Sequence, residues 1–314
     1  MPDITALGEL LIDFTPIPGQ PPRYIQNPGG APANVLSAAA AQGASCALIG
    51  KVGDDPFGDF LISAASGRGI DCSAVCRDAK VPTTLAFVCL SPDGDRSFRF
   101  YRDPGADVML TPEDVPEALI RQSRIFHFGS LSLTDEPARA ATQFAVAQAR
   151  QAGIPVSYDP NYRAPLWRSE AEARQWMRWP LEQVDILKVS AEELPLLADT
   201  DDIEEGSRRL SALGIKLVLV SMGAEGACCR RGDLFFHRPA YPVQAVDTTG
   251  SGDAFMGTIL AGVRNLDRAG LETLDEDFLT ALVARANAAG GLTATRRGAI
   301  AVMPTAEELD AFMG

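Results

Sequence analysis

Asp247-Thr248-Thr249-Gly250-Ser251-Gly252-Asp253 lies near the end of a 314-residue chain, and the rest of the sequence is read outward from it. Just upstream, Val243 to Val246 alternates and reads as the end of a strand. Just downstream, Ala254 to Val263 is apolar apart from Thr258 and reads as a buried helix. Two glycines and small hydroxyl residues therefore stand where a strand turns into a helix N-terminus. Such an end carries unpaired N–H groups and the positive end of the helix dipole, so it can hold an anion. Gly250 and Gly252 let the backbone approach a phosphate closely. Asp253 has two readings. It can cap the helix, or it can take a proton from a hydroxyl that attacks a phosphoryl group.

From about residue 112 to this stretch, strands and helices alternate. Strands are expected at 124–128, 154–158, 185–189 and 216–221, and helices at 137–152, 170–179, 190–197 and 203–213. That order predicts an α/β fold, with a mainly parallel sheet covered by helices on both faces. Ligands of such sheets gather at the C-terminal strand ends. Three stretches fall there: Asp159-Pro160-Asn161-Tyr162-Arg163, Ser221-Met222-Gly223-Ala224-Glu225-Gly226 and the Gly250 turn.

The N-terminal part is less regular. Ile4 to Leu7 is a strand, and Gly8 to Phe14 reads as its continuation. Asp13, set between Ile12 and Phe14, is either a solvated strand edge or a ligand-facing carboxylate. Pro16, Pro18, Gly19, Pro21 and Pro22 mark an excursion that returns at Tyr24 to Gln26. Gly29-Gly30 precedes a helix at 35–41 and either makes a simple turn or lets a small ligand rest on bare backbone, with Asn34 beside it. Thr84–Leu90 and Arg96–Tyr101 flank an Asp-Gly turn at Ser91–Asp95 and read as a β-hairpin. Strands from about 12–27 and 84–103 are expected to form a small β lid on a single domain spanning 1–314. Gly50-Lys51 is not a P-loop: Gly43 lies too far upstream and Val52 stands where Ser or Thr is needed.

The formal charge of −13 argues against nucleic acid and anionic membranes as partners. No apolar run has membrane-spanning length, and the start lacks a basic n-region, so a cytoplasmic protein is expected. The six cysteines (Cys46, Cys72, Cys76, Cys89, Cys228, Cys229) form no Cys-x-x-Cys pair, and His127 and His237 are the only histidines. A structural zinc site, a disulfide framework and histidine-based catalysis are all poor fits.

The Gly250 stretch resembles the C-terminal signature of the ribokinase-like (PfkB) sugar kinases, Asp-Thr-x-Gly-x-Gly-Asp. Gly29-Gly30-Ala31-Pro32-Ala33-Asn34 and Ile49 to Gly58 are similar to the N-terminal signature of that family. Within it, Gly8 to Phe14, Phe100 to Asp107 and Tyr158 to Trp167 look most like the fructokinases. The resemblance implies a ribokinase-like fold and transfer of a phosphoryl group from ATP to the 6-hydroxyl of D-fructose. It implies Asp253 as base, with Gly250, Ser251 and Gly252 as anion hole. It assigns sugar contacts to Asp13, Gly29, Gly30 and Asn34. Arg102 and Arg163 either contact the substrate or steady phosphate charge, or else are salt-bridged or solvated lid residues. ATP contacts fall on Ser221, Gly223, Gly226 and Asn287. Glu193 would reach Mg2+ through water, and Asp247 and Thr249 match part of a K+ site. Relatives often pair through lid strands, so a homodimer is an expectation. A 2-keto-3-deoxygluconate kinase is the nearest alternative; Asp13 and Pro32 favour a neutral ketohexose. A non-catalytic binding protein on the same fold disagrees with the intact Gly-x-Gly-Asp. A dinucleotide-dependent oxidoreductase disagrees with the absence of an opening Gly-x-Gly-x-x-Gly unit.

Overall fold

The computed structural model describes residues 1–17, 20, 23–90 and 96–314. Among them are thirteen strands: β1 (Ile4–Leu7), β2 (Leu11–Pro16), β3 (Tyr24–Gly29), β4 (Cys46–Gly53), β5 (Ile70–Asp78), β6 (Leu85–Leu90), β7 (Arg96–Tyr101), β8 (Ile125–Gly129), β9 (Val156–Asp159), β10 (Ile186–Ser190), β11 (Leu217–Ser221), β12 (Ala227–Arg231) and β13 (Leu234–Arg238). Nine of them form one sheet in the order β13-β12-β11-β10-β9-β8-β1-β4-β5. It is parallel from β11 to β5, while β11-β12-β13 run antiparallel to one another.

Both faces of this sheet are covered, which explains its unbroken apolar strands. Successive residues enter different cores. Ile186, Leu217 and Leu219 join the core that holds Met256 and Ile259, from the helix Ser251–Val263. Leu187, Val189, Val218 and Val220 join the other, with Ala141 and Ala145 of the helix Ala138–Gln151.

The remaining strands form a second sheet, β3-β2-β6-β7. The β2-β3 and β6-β7 pairs are antiparallel, and β2 runs parallel to β6. Phe14 stacks on Phe87 at 4.7 Å between ring centroids and meets Phe57 of the helix Pro56–Ser66 edge-on at 6.0 Å. This ring contact ties the small sheet to the body. Strand alternation then turns Asp13 to the opposite face from Phe14.

Four sequence expectations change. Gly8–Phe14 does not prolong β1: the chain leaves the large sheet after Leu7 and enters the small one at Leu11, so Gly8, Glu9 and Leu10 form a crossing. Residues 243–246 form no strand. The segment follows Pro239 and Pro242, which cannot donate to a ladder, and Val246 is 46% exposed. The N–H groups of Val246 and Asp247 bond instead to the Ala294 carbonyl, at the end of the helix Glu276–Ala294. The helix expected at 190–197 is only Leu194–Ala198, starting beside Pro195, which suits a first turn. Conversely, the first helix begins early, at Ala31, with Pro32 in its first turn. Pro18, Gly19, Pro21 and Pro22 of the excursion and the Ser91–Asp95 turn lie outside the described residues.

Candidate active site

A cavity of about 350 Å³ opens between the C-terminal ends of the large sheet and the inner face of the small one. Asp253 is on its wall, in the first turn of Ser251–Val263, and is 8% exposed. It does not cap that helix. The N-cap is Gly250, and no side chain accepts a capping bond there. Asn34 Nδ2 instead donates to Asp253 Oδ2 at 2.8 Å, across 219 residues of sequence. Burial raises the carboxyl above its ordinary pKa, while the Asn34 bond, Lys188 and Arg163 oppose that shift. A buried carboxylate held by one amide, with its second oxygen available, suits proton acceptance.

The turn before it is shaped by glycine. Gly250 has φ 78°, and a Cβ there would meet Ala299 Cβ at 2.9 Å. A Cβ on Gly252 would lie 3.0 Å from Lys188 Nζ. The N–H groups of Gly252 and Asp253 find no acceptor among the described residues, as expected of a helix N-terminus. The Ser251 N–H, by contrast, donates to the Thr248 carbonyl at 3.2 Å. Within the expected trio, the Ser251 N–H thus closes the turn, and Gly250 and Gly252 line the cavity.

The sugar-side residues also separate into distinct jobs. Asp13, Gly30, Asn34 and Arg163 line the cavity. Burial pushes the Asp13 carboxyl up to about 7; Arg163 opposes this, and Asp253 and Asp247 add to it. Gly29 does not line the cavity; a Cβ there would lie 2.2 Å from Asp13 Oδ2, so its bare backbone makes room for that carboxylate. Arg102 does not line it either. Its guanidinium donates to Asp107 and Thr134 Oγ1 at 2.8 Å and to the Leu131 carbonyl at 3.1 Å, and its side chain is 3% exposed. Of its sequence readings, the salt bridge is the one the structure shows.

On the expected nucleotide side, Ser221 ends β11, and Gly223 (φ 57°) and Gly226 (φ 100°) make the tight connection to β12. Asn287 Nδ2 donates to the carbonyls of Arg238 and Pro239 at 3.0 and 3.2 Å, which binds the end of β13 to the late helix. Its amide hydrogens are thus committed to main chain. Glu193 is buried and Glu192 exposed. Glu193 Oε1 accepts from Tyr162 N–H at 2.6 Å and Oε2 from Ser190 N–H at 2.8 Å. Asp247 Oδ1 accepts from the N–H and hydroxyl of Thr249 at 3.0 and 2.7 Å, and Gly298 N–H reaches Oδ2 at 3.3 Å. Asp247, Thr249, Gly298 and Ala299 border a second, very small hollow behind Asp13. Among the described residues, no three His, Cys, Asp or Glu side chains are grouped to hold a metal.

Sequence reading missed Glu9 and Lys188. Both line the cavity and are 3% and 7% exposed. Glu9 sits in the β1–β2 crossing, with Oε1 accepting from Ala31 N–H at 2.8 Å and Oε2 unpartnered. Burial brings it up to about 7. Lys188 left a signal, a lysine inside the apolar strand Ile186-Leu187-Lys188-Val189; such a residue is almost never fully buried unless paired.

A helix end with unpaired amides beside a buried carboxylate, roofed by a second sheet, is an arrangement that suits phosphoryl transfer on an α/β fold. Residues 1–306 match the pfkB family carbohydrate kinases, and the chain belongs to that family. It is 42% identical to fructokinase-1 of Oryza sativa subsp. japonica over 312 residues, covering 98% of this chain and 96% of the relative. The fold is similar to that of a fructokinase from Xylella fastidiosa with bound ATP, with TM-score 0.91 and 33% identity over 100% of this chain and 98% of that one. It is likewise similar to a double-mutant fructokinase from Vibrio cholerae O395 in a fructose, ADP and potassium ion bound form, with TM-score 0.90 and 32% identity over 99% and 98% of the two chains.

Proposed function

We propose that this protein is an ATP-dependent fructokinase that phosphorylates D-fructose at its 6-hydroxyl. The observation that carries the reading is the Asp253–Asn34 pair at the Gly250–Gly252 turn, facing Asp13 across one cavity. Nearly full-length similarity to fructokinases supports fructose as the sugar.

Fructose would rest between Asp13, the Gly30 main chain and Asn34. The buried Asn34 Oδ1 has no partner, so it is open to a sugar hydroxyl while Nδ2 holds Asp253. The 6-hydroxyl gives its proton to Asp253 as its oxygen bonds to the γ-phosphorus. The bond from phosphorus to the β,γ-bridging oxygen breaks, and ADP leaves. The unpaired amides at the Ser251 helix end stabilise charge on the transferring group. Mg2+, when bound, would neutralise the ATP phosphates. Glu193 fits a contact through water, since both its oxygens already accept main-chain N–H groups. The hollow beside Asp247 and Thr249 is where a K+ ion would be tested for. The nucleotide is assigned to the Ser221–Gly226 turn.

Asp107, Thr134 and Leu131 occupy Arg102, which leaves Arg163 as the cavity's arginine and supports a neutral sugar over an acid one. The small sheet acts as the lid of a single domain. Tyr24, Ile25 and Tyr101 on it are exposed, which supports pairing with a second copy through these strands. No helix among the described residues is long and apolar enough to cross a membrane. The free thiols of Cys46, Cys72, Cys76, Cys228 and Cys229 support a reducing cytoplasm.

ADP release with Mg-ATP against fructose, 2-keto-3-deoxygluconate, ribose, tagatose and adenosine tests the reading. The highest kcat/KM is expected with fructose. A preference for 2-keto-3-deoxygluconate would mean that Arg163 reads a carboxylate and would overturn the neutral-sugar assignment.

A further inference from the structure

Lys188 is a cation directed at the positive end of a helix. It projects from β10 on the same side as Ile186, toward Ser251–Val263. Its Nζ lies 3.0 Å from Asp159 Oδ2 and 3.2 Å from Oδ1, and among the described residues Asp159 is its only hydrogen-bond partner. The same ammonium stands 3.0 Å from the point where a side chain on Gly252 would begin. Lys188, Gly250, Gly252 and Asp253 share one cavity wall. Three carboxylates face the lysine: Asp159, Glu193 and Asp253. Burial opposes the ammonium, yet these acids outweigh it and hold the lysine pKa above its ordinary value.

Two positive features, an ammonium and a row of unpaired amides, therefore converge on one small volume. Alone they repel, whereas an anion between them satisfies both. The glycine at 252 is what leaves the gap between them open. An ammonium has three donors. Asp159 takes up one side of it, and the cavity lies on the other.

Building on the phosphoryl-transfer reading of this site, we propose that Lys188 is a further catalytic residue, whose ammonium contacts the oxygens of the transferring phosphoryl group opposite the Gly252 amide. It keeps its protons throughout. The new oxygen–phosphorus bond forms, the bridging bond breaks and the sugar proton goes to Asp253. Asp159 positions the ammonium.

The test uses the full chain and four proteins: wild type, Lys188→Met, Lys188→Arg, and Lys188→Met combined with Asp159→Asn. Fructose and ATP kinetics are measured together with thermal unfolding. For Lys188→Met, kcat is expected to fall about 10²- to 10³-fold, the loss typical of removing one transition-state donor. The fructose KM should stay within about threefold, because uniform binding is unchanged. The double variant removes the lysine and its partner charge together, so it should recover thermal stability while kcat stays low. Lys188→Arg should regain part of kcat. Assembly of Mg-ADP, fructose and aluminium fluoride, a mimic of the transferring group, should weaken in Lys188→Met more than fructose binding does.

A double variant with wild-type kcat would reduce Lys188 to the counter-ion of Asp159 and overturn the proposal. So would a folded Lys188→Met enzyme at full speed. If wild type itself released no ADP with any sugar of the panel, the kinase reading would fail first.

Discussion

The two walls of the cavity are built differently. On the large-sheet side, the charged groups already have protein partners: Lys188 with Asp159, Glu193 with two N–H groups and Asp253 with Asn34. On the side of the small sheet and the crossing that leads to it, Glu9 has an oxygen without a partner, and burial lifts both Glu9 and Asp13 to about 7. A wall with its partners in place is preorganised for a charge that develops during reaction. A wall with open acceptors is completed by the hydroxyls of a ligand. The comparison predicts that substitutions on the first wall slow turnover and those on the second weaken sugar capture.

The largest effect is expected from Asp253→Asn. Losing the proposed general base should lower kcat by roughly 10³- to 10⁴-fold. The fructose KM should change little and the protein should stay folded, because a buried carboxylate with a raised pKa is no asset to stability. Steady-state kinetics alongside a melting curve checks both halves. Near-normal turnover would remove Asp253 from the mechanism.

Next comes a contrast between arginine and aspartate. Arg102→Met breaks a buried ion pair with Asp107 and strands that carboxylate, so it should cost about 3 to 5 kcal/mol of stability. Denaturant titration reads that loss directly. Asp13→Ala should leave stability nearly intact and lower kcat/KM for fructose about 10²-fold, mostly through KM. If instead Arg102→Met shifted the fructose KM of a fully stable enzyme, the arginine would belong to the sugar wall after all.

This contrast also shows what the sequence could reveal. The Gly250–Asp253 turn was legible because its chemistry is local: glycine geometry, helix polarity and a carboxylate within a few residues. Asp13 stood out as a charge between two apolar strand residues, and the alternation that hides Phe14 turns it toward the cavity. Arg102 resembled a ligand residue only through the family motif, and its fate depends on Asp107, Thr134 and Leu131, whose placement no local pattern gives. The Asn34–Asp253 bond joins helices 219 residues apart. Glu9 was hidden by a misjudged strand end, since a residue inside a strand and one in a crossing between sheets face different surroundings. Residues 243–246 alternate as a strand does, but Pro239 and Pro242 just upstream cannot donate to a ladder, and that outweighs the alternation.

The smallest effect sharpens the comparison through pH. Asp13 and Glu9 each have folded-state pKa values raised to about 7 from ordinary values of 3.8 or 4.5. The native state holds these protons longer than the unfolded chain does, so their contribution is complete below the ordinary values and disappears as pH rises through about 7. His127 acts in the opposite direction: burial lowers it to about 3, so it favours the fold increasingly as pH rises, but only up to its ordinary 6.5. Carboxylates with lowered pKa values, such as Asp55 and Asp114, finish titrating below their ordinary 3.8. From about pH 6.5 to about pH 8 the raised carboxylates therefore act alone, and the melting temperature of the ligand-free protein should fall as pH increases. Asp13→Asn should make that decline shallower. A melting temperature that climbs across this interval would mean that Asp13 and Glu9 are already ionised in the empty site, and the reading of their wall as open acceptors awaiting a ligand would fail.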